Sequence, residues 1–164
     1  GRYIAMRFLV KPMDFPNAFM YGAGHGGVEA MLLCGVASIS NIASAVMINS
    51  GTMSAQLATL DAEKAADTAA ALSALWTTPS LTFFAGGVER IIAVVLHLSL
   101  SILVFQSIRK KSQKDLINAY LFHFVIDSLS VLLSAVASVW VVELVTALVT
   151  GGAVLMARYA CMAE

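Results

Sequence analysis

Long apolar runs, separated by short polar stretches, dominate the sequence. The first run covers about residues 24–48 and the second about 81–108. The third begins near Leu116 and continues to Glu143, which interrupts it. A helix needs roughly 20 apolar residues to cross a bilayer, and these three runs reach that length. The run over 144–160 is shorter, and it is either a further span or a packed half-span. The pattern therefore predicts an all-α fold, a polytopic bundle of transmembrane helices.

Two other segments do not have the pattern of a span. Residues 51–80 are rich in alanine, and leucines with Trp76 form an apolar stripe along them, so we predict an extramembrane helix or helix pair here. The opening residues 2–10 are too short to span alone. They are typical of the end of a helix that starts earlier, or of an interfacial segment. We expect residues 1–164 to form one integral membrane domain that lacks one or more N-terminal helices.

Basic residues predict the orientation of the bundle. The sequence RKKSQK, residues 109–114, joins the second and third runs and holds four of the ten lysines and arginines. Short loops rich in lysine and arginine lie on the cytoplasmic side. Arg2, Arg7 and Lys11 precede the first run, so they fall on the same side. The Ala-rich segment is then extracytoplasmic.

The composition agrees with a lipid environment. Hydrophobic residues make up 59% of the chain and charged residues 12%, whereas soluble domains have about 45–50% and 25%. The net charge is zero, so no basic field indicates a nucleic-acid partner. Membrane lipids are the partners that this composition predicts.

Ionisable residues occur inside these apolar runs, where they are costly and usually mark a functional site. Each of the first three runs contains one of the three histidines of the chain. The complete set is His25 and Glu29 in the first run, Glu89, Arg90 and His97 in the second, and His123 and Asp127 in the third.

Their spacing predicts which of them share a helix face. His25 and Glu29 are four residues apart, as are His123 and Asp127, and residues at this spacing are neighbours on a helix. At about 1.5 Å per residue, His97 lies about 18 Å and His123 about 14 Å from the basic loop, and Glu29 about 15 Å from the start of its span. We therefore expect Glu29, His97 and His123 to meet at one level in the membrane.

Glu89 and Arg90 lie about 12 Å above His97 along the same helix. Their position near the outer surface favours a structural ion pair. We regard this pair and His25 as auxiliary to the predicted site.

A carboxylate and two imidazoles at one depth can bind and deprotonate a water molecule. Glu29 would act as the general base, and the histidines would position the water or a metal ion that carries it. Asp127 would orient His123 or, if protonated, stabilise an oxyanion. The glycines of GAGHGG, residues 22–27, would allow another helix or a substrate to approach closely.

Three segments in order, GHGGVEA, GGVERIIAVVLHLS and HFVIDSL, resemble the YhfC family of bacterial membrane proteins. The resemblance covers about residues 20–135. The family is described as glutamic-type intramembrane proteases, related to the CAAX-protease and bacteriocin-processing (Abi) group. That group carries the motifs Glu-Glu-x-x-x-Arg, Phe-x-x-x-His and His-x-x-x-Asn/Asp on successive membrane helices.

The resemblance implies catalytic roles for Glu29, His97, His123 and Asp127. Val28 stands where the related group has its other glutamate, and Leu33 where it has arginine. The activity implied is hydrolysis of membrane-associated peptides or proteins in the bacterial cytoplasmic membrane. The resemblance favours a reaction with no obligatory cofactor. Zinc held by Glu29, His97 and His123 is the alternative.

A second class of function uses the same residues without catalysis. In a transporter, or in a transporter-associated subunit, the acids and histidines would relay protons or bind a solute. Transporters often contain inverted repeats, and the sequence has no visible repeat. Proteolysis that depends on Glu29 would distinguish the protease from the transporter.

Overall fold

The structure, a computed structural model, describes residues 1–163. Apolar surroundings leave backbone groups without water, so membrane segments satisfy their hydrogen bonds internally as helices. A π-helical turn, Met31–Gly35, joins the second and third helices. The α-helices of the described residues are α1 (Arg2–Phe8), α2 (Phe15–Ala30), α3 (Val36–Asn49), α4 (Thr52–Leu57), α5 (Ala62–Thr77), α6 (Ser80–Lys110), α7 (Gln113–Ser134) and α8 (Val139–Met162).

Four helical segments are long and apolar enough to cross a membrane. They are Phe15–Asn49, Ser80–Lys110, Gln113–Ser134 and Val139–Met162. This confirms the predicted all-helical polytopic bundle. The run over 144–160, predicted to be either a span or a packed half-span, belongs to α8, a helix of 24 residues.

The boundary predicted between the third and fourth runs was wrong. The helix α7 ends at Ser134, and α8 begins at Val139 after the cap residue Ser138. Glu143 therefore lies inside α8, where it is buried, and does not interrupt α7. The 22 residues of α7 already span about 33 Å. The residues between α7 and α8 include no glycine or proline and are mostly apolar. The sequence therefore gives no sign that one helix ends here and another begins.

The chain divides into two compact units. One comprises residues 31–86, and the other comprises residues 1–30 together with 87 onward.

In the unit of residues 31–86, Gly51 adopts a left-handed conformation with φ of 76° between α3 and α4, as glycine does without strain. Asp61 caps α5 by accepting the backbone N–H of Lys64 at 2.9 Å. Lys64 also donates its ammonium to this carboxylate, which lowers the pKa of Asp61. Residues 51–80 thus contain a pair of helices, and their extracytoplasmic position stays a prediction.

The other unit is organised around α6. Large side chains of this helix are almost completely buried, including Leu96, Leu100 and Leu103. Polar residues of the same helix, among them His97 and Gln106, are buried with them. Leucines and valines on the outer faces of α7 and α8 are exposed, as expected for helices that face lipid.

Two glycines of α2 allow it to lie directly against α6. A Cβ atom on Gly22 would come within 2.9 Å of the Leu98 Cα, and one on Gly26 within 3.1 Å of the Val94 Cα and the His97 Cβ. These glycines are four residues apart, the spacing at which small residues let membrane helices pack closely. One of the two uses predicted for the GAGHGG glycines, the approach of another helix, is therefore present.

The segment 109–114 forms mostly the ends of two helices. Arg109 and Lys110 finish α6, and α7 begins at Gln113 after the cap residue Ser112. Lys110 donates its ammonium to the backbone carbonyl of Ala160, in the last turn of α8. A cation at a helix C-terminus interacts favourably with the helix dipole, so Lys110 ties α6 to the end of α8.

We expect Gly22→Ala to destabilise the protein by about 1–3 kcal/mol, because the new methyl group would push the α6 backbone away. Gly24 in the same helix has no atom of another helix near the position of its missing Cβ. Gly24→Ala is therefore the matched control, and it should be neutral or stabilising by up to about 1 kcal/mol through helix propensity. Equilibrium unfolding in detergent measures both changes. Equal stabilities for the two variants would contradict the close packing of α2 on α6.

Candidate functional site

Five ionisable side chains from four helices come together in the unit built on α6. We call them the polar cluster: Arg2 on α1, His25 and Glu29 on α2, His97 on α6, and His123 on α7. The four-residue spacing of the α2 pair directs both side chains toward α6. The glycine contacts described above bring α2 close enough for them to reach it.

His97 is the centre of the cluster. Its side chain is only 2% exposed, and its Nε2 lies 3.1 Å from Oε2 of Glu29. Gly26 packs on the Cβ of His97, so the missing side chain at position 26 lets the imidazole pass beside α2. The Glu29 carboxylate is 39% exposed and can therefore interact with the buried ring and with a molecule outside it.

The other ring nitrogen of His97 contacts Arg2. The guanidinium Nη2 of Arg2 donates a hydrogen bond to Nδ1 of His97. A guanidinium can only donate, so Nδ1 must accept and the proton of the neutral ring must lie on Nε2. That Nε2–H then donates to Glu29. The two neighbours of His97 together select one tautomer.

The remaining histidines flank this pair. The ring centroids of His25 and His97 are 4.9 Å apart, and those of His97 and His123 are 5.6 Å apart. One ligand atom from each of His25, Glu29 and His97 lies within 4.8 Å of the other two. His123 does not belong to this tight group. Its Nε2 instead lies 3.6 Å from Oδ2 of Asp127, which is 65% exposed.

A cavity of about 210 Å³ lies beside the cluster. Its walls include Arg2, His25 and His123, together with Tyr3 and Tyr120. Two buried atoms of the wall residues have no hydrogen-bond partner among the described residues, Nε of Arg2 and Nδ1 of His123. Buried polar groups are normally paired, so these two atoms lack the partner that such groups usually have.

Glu89 and Arg90 form an ion pair with each other, two helical turns from His97. Glu143 of α8 is close enough to interact electrostatically with both, and its Oε2 is buried without a hydrogen-bond partner among the described residues. These three residues form a second group of charges, separate from the polar cluster.

The structure joins most of the residues that the sequence singled out, with two differences. Glu29 and His97 are in direct contact, but His25, predicted as auxiliary, takes the place in the tight group that was expected for His123. Arg2 was not among the predicted site residues, and it bonds to His97. Its signal in the sequence is a charged residue within a largely apolar stretch. The predicted orientation, with Arg2, Arg7 and Lys11 on the cytoplasmic side, is untested.

Comparison with known proteins identifies the family. The sequence model described as YhfC intramembrane metalloprotease matches residues 1–146. The chain belongs to this family. It is 38% identical over 124 residues to the membrane protein YhfC of Bacillus subtilis, an alignment that covers 75% of this chain and 47% of the relative. The chain thus spans about half the length of that YhfC protein, and no solved structure matches it.

Membership of the YhfC family and the four long apolar helices make the chain an integral membrane protein. The family description names a metalloprotease. This description supports an intramembrane protease. It also favours the zinc alternative over the expectation, drawn from the sequence, that the reaction needs no cofactor. The glutamic type of mechanism receives no support from this description.

The tautomer of His97 can be tested by ¹⁵N NMR of histidine-labelled, metal-free protein in lipid bilayers, with His25→Gln and His123→Gln as assignment variants. We expect a protonated Nε2 and an unprotonated Nδ1 in His97. Arg2→Gln should introduce a population protonated at Nδ1, because the charged donor is lost. A wild-type ring already protonated at Nδ1 would contradict the Arg2 contact.

Proposed function

We propose that this chain carries the catalytic centre of an intramembrane protease that hydrolyses peptide bonds in or near the bilayer. The observation that carries the proposal is the contact between Glu29 and the buried ring of His97, 3.1 Å apart, inside apolar helices. Ionisable groups at such positions are functional by default because they are costly to place there. The family description supports the same class of reaction.

The donors of the tight group suit a divalent metal ion such as zinc. Two imidazoles and a carboxylate form known catalytic zinc sites, in which a fourth position stays open. We assign His25, Glu29 and His97 as the residues that would hold the ion, in place of the predicted set with His123. His97 would offer Nε2 once Arg2 releases Nδ1 for the ring proton. Bound zinc supplies Lewis acidity and lowers the pKa of a coordinated water.

His123 is suited to move protons during hydrolysis. Its Nε2 is oriented toward Asp127, and its Nδ1 has no hydrogen-bond partner. A neutral ring that carries its proton on Nε2 keeps a lone pair on Nδ1. This nitrogen would take a proton from water while the water oxygen bonds to the peptide carbonyl carbon, and return it to the leaving amine nitrogen. Asp127 would hold the ring in this tautomer.

Glu29 is the other candidate for the general base, as the sequence predicts. A carboxylate that binds a metal ion is a poorer base, so the two roles of Glu29 differ in what its removal does. If Glu29 is a ligand, its loss removes metal and activity together. If it is the base, its loss removes activity and leaves the metal bound.

The setting of the reaction follows from the four spans. We place the protein in the bacterial cytoplasmic membrane with residues 109–114 on the cytoplasmic side, in line with the positive-inside rule. The substrate would be a membrane-associated peptide or protein, because the polar cluster lies between helices whose outer faces are apolar. Lipids surround those faces.

Glu29→Gln tests the role of the carboxylate. We expect kcat/KM for membrane-anchored reporter peptides in proteoliposomes to fall by about 10²–10⁴-fold. Metal content should fall with it, since we assign Glu29 as a ligand. Glu63→Gln, the same change at an exposed position of α5, is the control and should leave both unchanged. Solute flux without proteolysis by any variant would instead support the transport function.

His25→Ala and His123→Ala distinguish the two possible sets of metal ligands. We expect His25→Ala to weaken zinc binding by about 100-fold or more, because a ligand is lost. His123→Ala should bind zinc normally and still lose activity, because it removes the proton carrier. Zinc titration of the two variants, alongside the cleavage assay, checks this. Normal zinc binding by His25→Ala and loss by His123→Ala would restore the set predicted from the sequence.

A further inference from the structure

We propose that Arg2 is a catalytic residue of this reaction, and that the cavity it lines binds the negatively charged oxygen of the tetrahedral intermediate. The inference rests on the proposed protease function and adds a binding site to it. No part of the sequence pattern assigned such a role to Arg2.

Arg2 has hydrogen-bonding capacity that the described residues do not use. A guanidinium has five N–H donors, and one group, Nη2, is bonded to His97. The Nε–H is buried and has no partner among the described residues. A buried donor without an acceptor is costly, and an anionic oxygen in the cavity would satisfy it with a charge-assisted bond.

Arg2 also lies beside the residues proposed to carry out the reaction. Arg2 contacts the ring of His97 on one edge, and Glu29 contacts the same ring on the other. Within the polar cluster, Arg2 is the permanent cation, and the cavity beside it also reaches His25 and His123. A peptide carbonyl attacked by water at the cluster would therefore lie within reach of the guanidinium.

The size and the lining of the cavity suit a single charged oxygen. At about 210 Å³, the cavity is below the roughly 300–1,000 Å³ of sites that enclose a whole ligand. It suits one peptide group and not a complete substrate. Its lining supplies a fixed positive charge from Arg2 and includes the polar residues His25, His123, Tyr3 and Tyr120. A fixed charge at this place attracts an anion.

The step balances without a further reactant. The water oxygen forms a bond to the carbonyl carbon, the water proton goes to the base, and the carbonyl π electrons move to its oxygen. Arg2 donates its Nε–H to that oxygen as the charge develops. When the intermediate collapses, the electron pair returns, the C–N bond breaks, and the proton passes to the amine nitrogen.

Binding to metal-free protein tests this site without relying on activity. The probe is a peptide phosphinate, whose tetrahedral anion resembles the intermediate, compared with the neutral ketone of the same sequence. We expect Arg2→Gln to weaken phosphinate binding by about 10–100-fold and to change ketone binding less than about twofold. Arg2→Lys keeps the charge and should lose less affinity than Arg2→Gln. Arg158→Gln, the same change at an exposed position of α8, should bind as the wild type does.

Kinetics of the metal-loaded protein supply the second readout. We expect Arg2→Gln to lower kcat by about 10²–10³-fold, as removal of an oxyanion donor does, with little change in KM. If Arg2→Gln does not fold, Arg2→Lys carries the test, with a smaller loss in kcat and in phosphinate affinity. A folded Arg2 variant with wild-type kcat and wild-type phosphinate affinity would overturn the inference while the protease function stands. Absence of cleavage by the wild type would instead count against the protease function.

Discussion

The contact between α2 and α6 is the interaction on which the polar cluster depends. Gly22 and Gly26 leave no side chain between the helices, so the α6 backbone passes almost against α2. At this separation Glu29, three residues after Gly26, reaches the ring of His97. A larger residue at Gly22 or Gly26 would push α2 and α6 apart. It would also move the Glu29 carboxylate away from the His97 ring. The packing and the chemistry therefore use the same few positions.

Apolar surroundings explain why the polar residues form connected groups. An ionised side chain inside a bilayer is stable only when it is paired or reaches water. Arg2, His97 and Glu29 form a chain of contacts from a cation through a neutral ring to an anion. Glu89 and Arg90 pair separately. Arg2 and His123 each keep one buried atom without a partner among the described residues, and both residues line the same cavity.

Hydropathy predicted the helical spans because the thickness of a bilayer sets their length. Residue spacing also predicted that Glu29 and His97 would meet, since the rise along a helix is constant. Their depth in the membrane stays a prediction. Spacing could not predict how each helix is rotated about its own axis, and this rotation decides whether His25 or His123 joins the tight group. The boundary between α7 and α8 was missed because the turn has no glycine or proline. The contact of Arg2 with His97 was missed because it depends on how the chain folds back, which local sequence does not reveal.

The bond between Arg2 and His97 links the cavity to the tight group. While Arg2 occupies Nδ1, the ring proton stays on Nε2, facing Glu29, and that nitrogen has no lone pair for a metal ion. If the guanidinium instead left Nδ1 on binding a negatively charged oxygen, the ring proton would be able to move to Nδ1, and Nε2 would have a lone pair for a metal ion. Two events that share one equilibrium must favour each other to the same extent. On that condition, occupation of the cavity by an anion and of the tight group by a metal ion would be coupled through the two nitrogens of a single ring.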